Sequence, residues 1–232
     1  MTIAATDPQR CRQRATSRKT RYPARLLALF ILLLSISPSV AQQIAPGSID
    51  ELAETDREVI NDTPFAVRRT LAELVTQGFQ PGNLERALMG RLAGNEQPSF
   101  SNFLVLGQRR CTVWWYGAGS TAKQRVASDR CAIEYGKSGE TIIRNVTGDR
   151  FNIRLIPMED GGVAYAGRSF LPSHFEQAYD ADNPVNMFDE GYGNIAGRAV
   201  ISDRSLLLVT GAERSHAEED ETFFQLVEVP DR

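Results

Sequence analysis

Histidine is nearly missing from this chain, with two in 232 residues, His174 and His216. That leaves little material for an imidazole-based metal site or a histidine relay in acid–base catalysis. Cysteine is almost as sparse, at three, and no two of them stand as Cys-x-x-Cys, which excludes the common redox motif. No apolar run reaches the roughly 20 residues that a membrane-spanning helix requires. There is no internal repeat and no low-complexity tract. Gly117-Ala118-Gly119-Ser120-Thr121-Ala122-Lys123 has the glycines and lysine of a phosphate loop without its spacing, and reads as a turn.

One short apolar run does stand out. Arg18, Lys19, Arg21 and Arg25 precede eleven residues from Leu26 to Ile36, and Ser39 and Ala41 then supply small residues before Gln42. Basic, apolar and small-residue segments in that order predict a secretory signal peptide over residues 1–41, with no stable membrane span after cleavage. The expected location is periplasmic or secreted. Cleavage would leave 19 Lys/Arg against 28 Asp/Glu, a net charge of −9. Such an acidic protein is not expected to bind nucleic acid.

Removal of the signal also takes Cys11, leaving Cys111 and Cys131. In an oxidising compartment an isolated pair predicts a disulfide.

Residues 42–100 carry helical periodicity and residues 101–232 carry strand periodicity, and the two are expected to fold as one unit. Ser48-Ile49-Asp50-Glu51 has the form of a capping box, predicting a first helix to about Ile60. Thr63-Pro64 reads as the start of a second, with Val67, Leu71, Leu74 and Val75 on one face and Gly78 as its stop. A third follows Asn83, with Leu84, Ala87, Leu88 and Leu92 on its apolar side. From Phe103 onward, short alternating runs are separated by turn residues such as Gly148-Asp149 and Asp160-Gly161-Gly162. They predict an α+β fold: an N-terminal helical segment packed on a meandering antiparallel sheet of about nine strands, curled toward a barrel. Two long loops are expected, Gly117 to Arg130 and Ser169 to Gly197.

Function is less legible. Between Gly107 and Cys131 the charges are Arg109, Arg110, Lys123, Arg125 and Arg130 against Asp129, a net of +4, so the rest of the mature chain carries −13. Trp114 and Trp115 lie inside the same segment. Adjacent strand residues face opposite sides, which puts one tryptophan at a rim, in a cavity or under a loop. These seven residues, Arg109, Arg110, Trp114, Trp115, Lys123, Arg125 and Arg130, are the candidate ligand-binding set. Their expected partner is an anionic envelope component or an acidic protein. No cofactor and no metal is expected, and no residue is assigned a catalytic role. The competing expectation is a secreted hydrolase in the Ser169–Gly197 loop, built from Ser173, His174 and either Asp180 or Asp182, although no glycine-flanked elbow surrounds Ser173.

Overall fold

Eight strands follow one another along the chain, each antiparallel to the next, and the eighth returns to the first, closing a barrel. They are β1 (Gly107–Gly117), β2 (Lys123–Tyr135), β3 (Thr141–Asn145), β4 (Arg150–Pro157), β5 (Val163–Phe170), β6 (Asn194–Ile201), β7 (Ser205–Gly211) and β8 (Phe223–Pro230). A 3₁₀ turn (Ile49–Glu51) and two helices, α1 (Glu54–Thr76) and α2 (Asn83–Leu92), precede them. The computed structural model describes residues 45–94, 106–117, 122–184, 192–202, 204–211 and 223–231. The proposed signal segment lies outside them. Gln42–Arg232 form one compact unit, and among the described residues no helix is long and apolar enough to cross a membrane.

Alternation along each strand divides the apolar residues into an inner and an outer set. Leu206 and Leu208 of β7 join Cys111, Cys131, Ile133, Ile143, Ile153 and Val229 inside the barrel. Their neighbours Leu207 and Val209 point outward and pack with Val200, Phe224 and Leu226 against Val67, Leu71 and Leu74 of α1 and Leu88 of α2. β7 is therefore apolar on both faces, whereas strands without helical cover need only one. A third cluster, with Ile60 and Leu52 against Ala164, Ala166 and Ala196, seats the start of α1 on β5 and β6. Small residues there let the helix approach the sheet closely.

Gly197 faces the lumen opposite Tyr165, and a Cβ on it would lie 2.1 Å from the Val209 carbonyl oxygen and 2.8 Å from Tyr165 Oη. Only glycine fits this tight bend of the barrel wall.

Four expectations need correction. Among the described residues the strands number eight rather than nine: residues 103–105 of the expected first strand, Phe103 to Leu106, lie outside the described residues, and Leu106 has no strand pairing. Second, the expected Gly117–Arg130 loop is mostly strand. β1 runs to Gly117 and β2 starts at Lys123, so the connection is residues 118–122 alone. Third, Ser48 caps only the 3₁₀ turn, accepting the Asp50 N–H at 3.3 Å.

Fourth, α1 is continuous through Pro64 rather than restarting at Thr63. Proline has no N–H to give to the carbonyl four residues back, here Ile60. Arg198 of β6 takes that place, its Nε donating to Ile60 O at 3.0 Å. Thr63 also ties the helix to the barrel, its Oγ1 accepting the Gly211 N–H at 3.0 Å. The break expected from proline is thus repaired from the sheet.

Candidate functional site

The β1–β2 hairpin carries all seven candidate binding residues and distributes them over both faces. Arg110 lies directly opposite Arg130 across the ladder, followed by Thr112 opposite Ser128. A bulge after Val113 then sets Trp114 opposite Arg125 and Tyr116 opposite Lys123. Because Tyr116 belongs to the outer cluster and Cys111 to the inner one, the even-numbered residues of β1 face outward and the odd-numbered ones face the lumen. Arg110, Arg125, Ser128 and Arg130 are all exposed on the outer face. Among the described residues, none of these three arginines makes an ion pair.

The other two cations are engaged. Lys123 Nζ lies 2.8 Å from Glu85 Oε1 and above the rings of Trp114 and Tyr116, at 4.4 and 5.2 Å from their centroids. Glu85 is buried on α2 and accepts Tyr116 Oη at 2.7 Å and the Gly82 N–H at 2.7 Å. Burial alone would raise the Glu85 carboxyl. The hydrogen bonds from Lys123 and Tyr116 outweigh it and hold the group below its ordinary value of 4.5. Burial, together with the bond to Glu85, pushes the Tyr116 phenol far above its usual range. This trio fastens α2 to the barrel. Arg109 faces inward at the opposite end, donating to Pro230 O at 3.1 Å and standing 3.6 Å from Asp231 Oδ1. It lines an open depression of about 310 Å³ with Leu106, Gln108, Arg110, Pro230 and Asp231.

The two tryptophans part as the alternation requires. Trp114 lies outside, half-buried under Lys123, with Nε1 donating to Glu228 Oε2 at 3.1 Å. Trp115 faces the lumen, 40% exposed, and stacks on Phe223 with centroids 6.0 Å apart.

In the 171–193 connection, Asp180 accepts the N–H groups of Asp182 and Asn183 at 3.0 and 3.1 Å, so its carboxylate organises a turn. These bonds, that from the Asn183 side chain first, hold its pKa below the usual carboxylate range. Ser173 is exposed, and its hydroxyl bonds to no described residue.

Glu85 was missed from the sequence, although Gly82-Asn83-Leu84-Glu85 places a carboxylate at the third helical position, where it can reach back to the preceding N–H. Nothing in the sequence signalled its long-range partners Tyr116 and Lys123. A scan against protein-family models, a search of curated proteins and a search of solved structures each find no match to this chain.

Proposed function

We propose that this protein is exported to the periplasm or beyond and works there without catalysis, binding an anionic component of the cell envelope on the outer face of its β1–β2 hairpin. Export is supported by the order of residues in the 18–42 segment and by the Cys111–Cys131 disulfide, a bond typical of oxidising compartments.

One observation carries the binding reading. Arg110 and Arg130 stand directly opposite one another, both exposed and both without an ion pair among the described residues. Like charges in that position destabilise a sheet. Cross-strand side chains start about 5 Å apart, so a phosphate or carboxylate group held between them would convert repulsion into two charge-assisted hydrogen bonds. Arg125 extends the same face. Guanidinium forks suit such groups better than ammonium does, and Lys123, the one lysine of the segment, is engaged with Glu85.

The test is co-sedimentation with the envelope fraction of the native host. Wild-type protein should pellet at low salt and be released at high salt, because exposed charges are screened beyond about 8 Å at physiological ionic strength. R110E/R125E/R130E should stay in the supernatant while melting at nearly the wild-type temperature, since these side chains hold nothing in place. Equal sedimentation of the triple variant would overturn the reading.

A further inference from the structure

The inner wall of the barrel is fully buried at one end and only partly buried at the other. Ile133, Ile201, Leu206 and Val229 are buried inside it at the end where β2 meets β3, and the Cys111–Cys131 bridge seals the middle. Toward the opposite end, inner-face residues are only half-buried: Val113, Ala127, Ile195, Thr210, Gln225 and Val227. Register places them inside, since Val113 opposes both Ala127 and Val227, Thr210 opposes Gln225, and Val227 packs on the interior cluster. The surface that these six residues retain marks this end of the interior as the less tightly filled one. An eight-stranded barrel is of the size that either fills with side chains or holds one small ligand.

We propose that this half of the lumen is a binding site for an uncharged small molecule with a flat apolar body, with the Trp115–Phe223 stack as its doorway. The wall chemistry sets the ligand class. Val113, Ala127, Ile195 and Val227 offer apolar surface, and the two stacked rings offer planar surface at the mouth. Gln225 is half-buried, and its amide has no partner among the described residues, so it is free to orient a carbonyl or hydroxyl. The Thr210 hydroxyl donates to Ala196 O at 2.7 Å and keeps its lone pairs as acceptors. Charge is scarce on this wall. Arg109 lies at the far end beside Asp231, and Asp129 accepts the Thr147 hydroxyl at 3.3 Å. Among the described residues an anion would find no cation in this half to meet it, and a few placed polar groups in an apolar cavity are the usual composition of a small-molecule site. The placement of connections agrees. Residues 118–122, 146–149, 171–193 and 212–222 join strands at this end, and 136–140, 158–162 and 202–204 join them at the far end. Binding loops commonly gather at one end of a rigid scaffold.

The experiment titrates the exported protein with N-phenyl-1-naphthylamine, an uncharged aromatic dye that brightens in apolar surroundings. Saturable brightening with one dye per chain, accompanied by quenching of tryptophan emission, is expected. Trp115→Ala should weaken binding about tenfold or more through loss of the stacking surface. Val113→Trp should fill the lumen and abolish binding. Should Val113→Trp fail to fold, Trp115→Ala suffices, because a side chain 40% exposed at the mouth is not needed for the core. R110E/R125E/R130E should bind the dye as the wild type does, which separates this site from the basic face. Absence of saturable binding would overturn the proposal. So would binding that Trp115→Ala leaves unchanged, since the dye would then sit elsewhere.

Discussion

Glu85 has a side chain only 4% exposed, yet it keeps its charge because Lys123, Tyr116 and the Gly82 N–H all point at it. Desolvation and hydrogen bonding oppose each other at this one carboxylate, and the bonds win, so its folded pKa lies below 4.5. A lowered folded pKa stabilises the fold at pH above the unfolded value and withdraws that support as pH falls through the folded value. Glu85→Gln should therefore destabilise most at pH 7. Removing one partner from a fully buried ion pair costs about 3–5 kcal/mol. Because Lys123 retains 26% exposure and can rehydrate, a loss of about 2 kcal/mol is the expected figure. Urea midpoints at pH 7 and pH 3.5 test this: the gap between variant and wild type should narrow at the lower pH. A gap that stays constant would mean that the carboxylate charge contributes nothing. The same contacts explain why Lys123 differs from its neighbours in the basic segment. Sequence grouped five cations by proximity, but strand alternation and a helix distant in sequence decide which of them remain exposed.

At the scale of the element, α1 is set by its inner stripe of Ile60, Thr63, Val67, Leu71 and Leu74, which repeats at three and four residues. Val67, Leu71 and Leu74 were legible from the chain, whereas Ile60 and Thr63 were read as the end of one helix and the cap of the next, and Val75, read into the same face, is 48% exposed. Continuity through Pro64 was not legible, because the group that satisfies Ile60 O comes from β6, more than a hundred residues away. A double-mutant cycle would isolate this repair. Arg198→Ala should cost about 1–3 kcal/mol in the wild type by leaving the Ile60 carbonyl without its donor. In a Pro64→Ala background the helix supplies its own N–H, and that cost should fall by about 1 kcal/mol. Additive losses by chemical denaturation would show that the Arg198 bond is incidental. The first half of β2 was hidden for a different reason. It faces solvent outside, where Arg125 and Ser128 are exposed, and the less tightly filled part of the lumen inside, where Ala127 and Asp129 suffice. Neither face requires the hydrophobic alternation by which β4 was recognised. A strand with two wet faces reads as a loop.

For the whole molecule, the difference between the two barrel ends governs both chemistry and stability. Cys111 and Cys131 lie on the inner face of β1 and β2 with Cα atoms 5.7 Å apart and no exposed surface. Their separation of 20 residues corresponds to about 3 kcal/mol in the chain-entropy account. The bridge is placed below the half-buried Val113 and Ala127 and above the packed floor of Ile133, Leu206 and Val229. A reductant small enough to enter the less tightly filled half therefore still meets side chains before sulfur. Thiol–disulfide exchange needs a thiolate to approach along the bond, so access rather than potential should control the rate. Native protein in dithiothreitol should keep its disulfide for as long as it stays folded. Reduction should rise with denaturant in step with global unfolding, as followed by mass-labelling of free thiols against circular dichroism. Protein with both cysteines replaced by alanine should still form the barrel, at lower stability, because the β1–β2 ladder continues on both sides of the bridge. Rapid reduction in native buffer would mean instead that solvent reaches through the middle of the lumen. The binding space would then extend past the bridge toward Arg109, bringing a cation within reach of its occupant and changing the class of molecule it could hold.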